Sequence, residues 1–242
     1  ISSSYEYDEK NRVMKYVNGN NITRYIYNEK GKLIQQINPN QYDPSCDGLN
    51  NATPEDTYSD NSVGDRYTYD LNGNVLSYTD PAGYITYYTY DINNKIIKSA
   101  CNNNVTRYIY DVNDRLIQTI YPSQYNPAYD GLNATIPENT YSDNTVGDRY
   151  TYDAYGNILT YADSRNKVTT NTYDSDNRLI KSVCDNNVTR YLYDSKSRLV
   201  QQINPEQYDA ACDGLPLQNT YSNANVGDRY IYDATGNLLS HT

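Results

Sequence analysis

Apolar and polar positions alternate in short runs along the whole chain, and each run breaks at a cluster of Asn, Asp, Gly or Ser. In RYIYDVNDRLIQTI, Tyr108 and Tyr110 fall on one face of an extended segment and Arg107 and Ile109 on the other. This is the period-two pattern of a half-buried strand. Four polar residues reverse the chain and RLIQTI returns. The same reversal is written at Asn28 to Gly31, Asp70 to Gly73, Asp111 to Asp114, Asp153 to Gly156, Asp174 to Asn177 and Asp233 to Gly236. Asp or Asn at the first turn position caps the backbone, and the fourth position takes residues that tolerate positive φ. A second kind of turn links one hairpin to the next: Asn18 to Asn21, Asp80 to Gly83, Asn102 to Asn104 and Asp163 to Asn166. Strand and turn alternating at about ten-residue spacing predict a β-meander. Nothing between the turns has a helical period.

The hairpins recur in register. Segments opening at Tyr25, Tyr108 and Tyr191 are 83 residues apart, and VGDR motifs place Tyr67, Tyr150 and Tyr230 at offsets of 83 and 80. A third set opens at Tyr5, Tyr88 and Asn171. The chain therefore divides into three super-repeats, 1–83, 84–166 and 167–242, within one repeat array. Such units bury their apolar faces only against neighbours. Tyr-x-Tyr starts fall 20, 42 and 21 residues apart, so each super-repeat holds four units of about 21 residues, one of them worn. The worn stretch, QYDPSCDGLNNATPEDTYSDNSVGDR from Gln41, reads as a long loop or a degenerate hairpin. Its third copy is three residues shorter, as a surface loop tolerates.

Composition sharpens the picture. All aromatic residues are Tyr, 31 of them, with no Phe or Trp. Hydrophobic residues make up 37% and the mean hydropathy is −0.89, so Tyr is expected to supply much of the buried area, each ring needing a partner for its hydroxyl. The expected ladder is Tyr25, Tyr27, Tyr67, Tyr69, Tyr108, Tyr110, Tyr150, Tyr152, Tyr191, Tyr193, Tyr230 and Tyr232, with Leu33, Leu116 and Leu199 packed beside it. The net charge of −10 argues against a nucleic-acid backbone as partner. No apolar run approaches the length of a membrane span.

The unit seen as YTYDLNGNVL, YTYDAYGNIL and YIYDATGNLL resembles the YD repeats of the Rhs and teneurin superfamily, over essentially the whole chain. The resemblance implies an all-β array of tandem hairpins spiralling into a tube or solenoid-like shell. Its members are large bacterial surface or secreted proteins, toxin-encapsulating shells and eukaryotic adhesion receptors. This chain carries no C-terminal toxin or self-cleaving domain and is more regular than usual, which favours a structural, extracellular bacterial tube. An adhesion or glycan-binding module and a fragment of a toxin-enclosing shell are the alternatives.

Catalytic chemistry has little to stand on. His241 is the one histidine and has no matched partner, so no enzyme, cofactor or metal is expected. The run DLNGN at Asp70 lacks the spacing and closing acid of a calcium loop. Asn21, Asn51, Asn104, Asn133 and Asn187 each begin Asn-x-Thr, yet turn chemistry explains them. Arg24, Arg107, Arg190, Arg66, Arg149 and Arg229 precede Tyr and read as structural ladders, Arg stacked on the Tyr of a neighbouring strand at exposed sites. A platform of stacked Tyr is the carbohydrate alternative, with surface glycans as ligands. Four cysteines, Cys46, Cys101, Cys184 and Cys212, leave three pairings open. If one super-repeat makes one turn, Cys101 faces Cys184, and Cys212 faces Cys46 of the next copy. The chain stops four residues short of three units, at a hairpin turn. That leaves Ile1, Tyr5 and Tyr7 on one open edge and Leu238, Leu239 and Thr242 on the other, so copies are expected to pair head to tail.

Overall fold

The computed structural model describes residues 3–49, 54–132, 137–214 and 220–242. Among them every regular element is a strand or a one-turn 3-10 helix. The chain forms two compact units: 1–107 with 121–125 and 131–139, and 108–120 with 126–130 and 140–242. The strands in chain order are β1 (Ser3–Tyr7), β2 (Val13–Asn18), β3 (Asn21–Tyr27), β4 (Leu33–Ile37), β5 (Asp47–Leu49), β6 (Pro54–Tyr58), β7 (Asp65–Tyr69), β8 (Val75–Thr79), β9 (Ile85–Tyr90), β10 (Ile96–Cys101) and β11 (Asn104–Tyr110). They continue with β12 (Leu116–Ile120), β13 (Asp130–Leu132), β14 (Pro137–Tyr141), β15 (Asp148–Tyr152), β16 (Ile158–Ala162), β17 (Val168–Tyr173), β18 (Leu179–Cys184), β19 (Asn187–Tyr193), β20 (Leu199–Ile203), β21 (Asp228–Tyr232) and β22 (Leu238–His241).

In the first unit β1, β2, β3, β4, β7, β8, β9 and β10 pair in that order, each antiparallel to the next. In the second unit β12, β15, β16, β17, β18, β19, β20, β21 and β22 do the same. The meander is closed by the expected turns. Gly31, Gly73, Gly156 and Gly236 donate back to the carbonyls of Asn28, Asp70, Asp153 and Asp233. These glycines, and Asp114 and Asn177 in the equivalent place, have φ between 59° and 99°.

Eight of the hairpins carry a bulge just before their second Tyr-position residue. Ile26 faces Gln35 but Tyr27 faces Leu33, so Ile34 has no opposite residue. Met14, Ile97 and Ile180 are skipped in the same way and are at most 1% exposed. In these hairpins the bulge turns an extra apolar side chain toward the core face, whereas Leu76, Leu159 and Leu239, skipped in the β7–β8, β15–β16 and β21–β22 hairpins, are exposed.

The core lies on that face, and it is mainly aliphatic, with one buried Tyr from each worn stretch, Tyr58, Tyr141 and Tyr221. Ile26, Ile37 and Tyr58 are buried together, with Ile34, Tyr42, Cys46 and Val63 against them. Leu192, Ile203 and Tyr221 repeat the arrangement. All twelve ladder tyrosines are instead half-buried, on the opposite face of strands such as β3, where Arg24 and Ile26 are buried. Ring area is thus placed at the half-wet surface, where a phenol keeps its hydrogen bonds.

Candidate functional site

The worn stretch from Gln41 is a folded piece, docked on the core face of the sheet. Asp43 caps a 3-10 turn over Pro44–Cys46 by accepting from the Ser45 amide. β5 and β6 then form a short antiparallel hairpin. The Tyr58 hydroxyl accepts from the Asp43 amide at 2.6 Å and donates to its carbonyl at 3.1 Å. In the second and third copies Asn126 and Asp209 supply the caps, and Tyr141 and Tyr221 the hydroxyls. The sequence alternatives of loop and degenerate hairpin resolve to the hairpin.

In the first and third copies one buried arginine fixes the docked piece. Arg24 is fully buried. Its Nε donates to Asp47 Oδ1 at 2.7 Å, Nη1 to the Met14 carbonyl at 2.9 Å and Nη2 to the Thr57 carbonyl at 2.9 Å. Asp47 also holds the Lys15 ammonium at 3.3 Å and accepts from Tyr42 at 2.6 Å. Burial works against this carboxylate, but the Tyr42 hydroxyl, Arg24 and Lys15 outweigh it and hold its pKa below the usual range. Arg190, Asp213, Lys181 and Tyr208 repeat the set. Arg107, also fully buried, donates to the Ile97 carbonyl. The expectation of exposed Arg–Tyr stacking at Arg24, Arg107 and Arg190 is therefore corrected. A guanidinium with up to five donors is what a buried carboxylate and several carbonyls require. The arginines that stack on tyrosine sit four residues after the turn start: Arg12 on Tyr27, Arg115 on Tyr152, Arg178 on Tyr193 and Arg198 on Tyr232, at 4.4–5.1 Å.

Two further repeated residues complete the dock. Gln35 is buried and its Nε2 donates to the carbonyls of Asp60 and Val63, as Gln118 and Gln201 do to theirs. Gly64 has φ +75°, and a Cβ there would lie 2.1 Å from the Gln36 carbonyl oxygen. The repeated VGD motif thus marks a close backbone approach.

The two tyrosines of each Tyr-x-Tyr do different things. The second bonds backward: Tyr27 donates to Val13 O, Tyr69 to Leu33 O, Tyr90 to Val75 O, Tyr152 to Leu116 O, Tyr173 to Ile158 O, Tyr193 to Leu179 O and Tyr232 to Leu199 O, at 2.6–3.0 Å. The first stacks or pairs across its own hairpin. Tyr67 lies 5.3 Å from Tyr78 and Tyr150 5.1 Å from Tyr161, while Tyr25 and Tyr191 face Gln36 and Gln202. Tyr108 and Tyr110 lie on β11 and are half-buried.

β4 and β7 pair only at Gln35–Arg66 and Gln36–Asp65. Beyond that they leave an open groove of about 570 Å³, lined by Asn28, Lys32, Ile34, Tyr67, Tyr69 and Leu71 among others. The corresponding groove of the second unit, with Asp111, Arg115, Ile117, Tyr150 and Tyr152, measures about 360 Å³.

The other predicted residues take the following places. Cys46, Cys101, Cys184 and Cys212 are free, half-buried thiols. Tyr5, Tyr7, Leu238 and Leu239 are exposed on edge strands, and Thr242 pairs with the Arg229 backbone. Ile1, Asn51 and Asn133 lie outside the described residues. His241 is exposed, 4.6 Å from the Tyr230 ring. Among the described residues no group of His, Cys, Asp or Glu is arranged to hold a metal, and no helix is long and apolar enough to cross a membrane. The residues missed in sequence, Tyr42, Asp47, Tyr58, Gln35 and Gly64, share one signal: each recurs in at least two copies with no turn or strand pattern to explain it.

No family model matches the sequence, and no curated protein matches it. Among solved structures the chain is similar to the crystal structure of TcdB2-TccC3-TEV, with 18% identity and a TM-score of 0.52, covering 99% of this chain and 13% of that chain. It is similar also to the crystal structure of TcdB2-TccC3, with 17% identity and a TM-score of 0.51, over 99% of this chain and 13% of that one. The chain thus spans a small fraction of these neighbours, and at this identity the likeness establishes an all-β fold of tandem antiparallel hairpins.

Proposed function

We propose that this chain is a wall segment of a larger, extracellular bacterial YD-repeat shell that encloses a toxic polypeptide, with a structural rather than catalytic role. The observation that carries the reading is the match of nearly the whole chain to a 13% portion of chains that bear the names of Tc toxin components. The internal arrangement agrees with a load-bearing wall. Seven hairpins are clamped to the preceding one by a phenol, and the first and third super-repeats are braced on one face by a docked piece. Electron cryomicroscopy of the full-length product, with limited proteolysis of any segment inside it, tests the proposal. A closed hairpin wall around a protease-protected segment is expected; an open rod with no interior would overturn it.

The edge residues Tyr5, Tyr7, Leu238 and Leu239 are free to receive a further hairpin. In a shell that hairpin comes from the same polypeptide, and in a head-to-tail filament from a second copy. Light scattering across a concentration series separates the two, because only the filament grows with concentration.

A further inference from the structure

The three copies act as internal controls, and one position departs from the rule. At four of the nine first turns of the array, an Asp opens the turn and an Arg four residues later pairs with it: Asp8 with Arg12, Asp111 with Arg115, Asp174 with Arg178 and Asp194 with Arg198; the turns at Asp111 and Asp194 are the direct copies of the turn at Asn28. In the grooves of the later copies that arginine is consumed. Arg115 Nη1 donates to the Asp153 carbonyl at 2.9 Å and Arg198 Nη1 to the Asp233 carbonyl at 3.0 Å. At the first groove both members have changed. Asn28 stands for Asp and Lys32 for Arg.

The change converts a neutral pair into an uncompensated cation with an added amide donor. Asn28 Oδ1 accepts from the Lys32 amide at 2.9 Å, leaving its NH₂ group without a partner among the described residues. The Lys32 ammonium lies 5.9 Å from the centre of the Tyr69 ring and has no carboxylate partner there. Two acids line the same groove. Asp70 is already committed to its own turn, through the Asn74 amide and carboxamide. Glu29 is exposed and forms no ion pair with Lys32. Opposite the cation stands Leu71, 93% exposed, where the other copies carry Ala154 and Ala234. Ile92 and Val112 stand at the same place in their own turns and are as exposed, so it is the groove beside Leu71, and not its exposure alone, that sets it apart. With the arginine gone, the groove is the larger of the two measured.

From these observations we infer that the first groove binds an amphipathic organic monocarboxylate, its carboxylate on Lys32 and Asn28 and its apolar body against Leu71, Ile34 and the Tyr69 ring. The unpaired Lys32 ammonium supplies local charge complementarity that has to act against the chain's net charge of −10, and the lining supplies burial for the body. The inference is independent of the shell proposal.

Isothermal titration of the 242-residue chain with 4-phenylbutyrate tests it, against 4-phenylbutanamide, which has the same body without charge, and acetate, which has the charge without the body. Saturable binding of phenylbutyrate is expected, with both controls weaker by about tenfold, the scale of one hydrogen bond to a charged group. The double variant N28D/K32R copies the second groove into the first and should weaken phenylbutyrate by about tenfold. Its fold is safe because the array already carries that pair elsewhere. Leu71→Ser, at an exposed tip, should also weaken it. Absence of saturable binding, equal binding of either control, or affinity unchanged in either variant would overturn the inference.

Discussion

Replacing Tyr69 by Phe removes one oxygen and leaves the ring. That oxygen donates to the Leu33 carbonyl at 2.6 Å across the β4–β7 gap, where the two strands share only two residue pairs. A neutral hydrogen bond contributes about 0.5–1.5 kcal/mol net. Both residues are half-buried, so water reaches the freed carbonyl and the loss should be about 1 kcal/mol. The ring packing and the Lys32 ammonium above it are retained. Tyr67→Phe is the matched control. Its ring lies tilted against Tyr78, but its hydroxyl makes no hydrogen bond among the described residues, so the change should stay within about 0.5 kcal/mol. Repeat arrays open locally rather than all at once, so the assay is amide hydrogen exchange in β4 and β7. A loss of 1 kcal/mol raises the opening constant there by about fivefold. Substituting all seven backward-bonding tyrosines should cost roughly 4–10 kcal/mol if the distant sites add. Equal effects of Tyr67→Phe and Tyr69→Phe, or a larger effect at Tyr67, would refute the division of labour.

Burial lifts the phenols of Tyr69, Tyr90, Tyr152, Tyr173 and Tyr193 above their ordinary pKa. Their contribution is complete below about pH 10 and is lost as pH rises through the higher folded values, so urea midpoints should fall steeply there; a flat profile up to pH 12 would contradict this. Asp47→Ala strands a fully buried guanidinium and should cost about 3–5 kcal/mol, read as faster thermolysin cleavage within 38–63 while the hairpin circular dichroism persists. Gly64→Ala meets a backbone oxygen at 2.1 Å and should cost about 3 kcal/mol or more, whereas Gly83→Ala, also at positive φ but in open space, should cost about 1–2 kcal/mol; similar melting temperatures for the two would show the backbone gives way more readily than the geometry implies.

Much of the fold is legible because its signals are local. The Asp70 to Gly73 and Asp153 to Gly156 turns are set by residues that cap and residues that tolerate positive φ, and both lie within four positions. Tyr-x-Tyr likewise fixes which residues share a face. The docked hairpin is less legible because its determinants act at a distance. Arg24 and Asp47 are 23 residues apart, Gln35 and Val63 are 28 apart, and neither pair belongs to one periodic segment. An Arg before a Tyr looks like a surface cation until the piece that buries it is in place. The bulges do leave a mark. Val13–Met14, Leu33–Ile34, Ile96–Ile97 and Leu179–Ile180 each put two apolar residues in succession where strict alternation allows one. The grooves become visible only by comparing copies, since Asn28 and Lys32 are ordinary turn residues until set beside Asp111 and Arg115.

The backward phenol bonds impose an order in time. In each one the donor is younger than its acceptor: Tyr69 is made after Leu33, Tyr152 after Leu116, Tyr232 after Leu199. A nascent chain leaving the ribosome therefore exposes a finished carbonyl before the hydroxyl that will clamp it exists. Each new Tyr-x-Tyr can close on what is already built, and the wait for a clamp is no longer than about two hairpins of chain. The same arrangement makes damage travel upstream, because losing a hairpin unclamps the one synthesised before it.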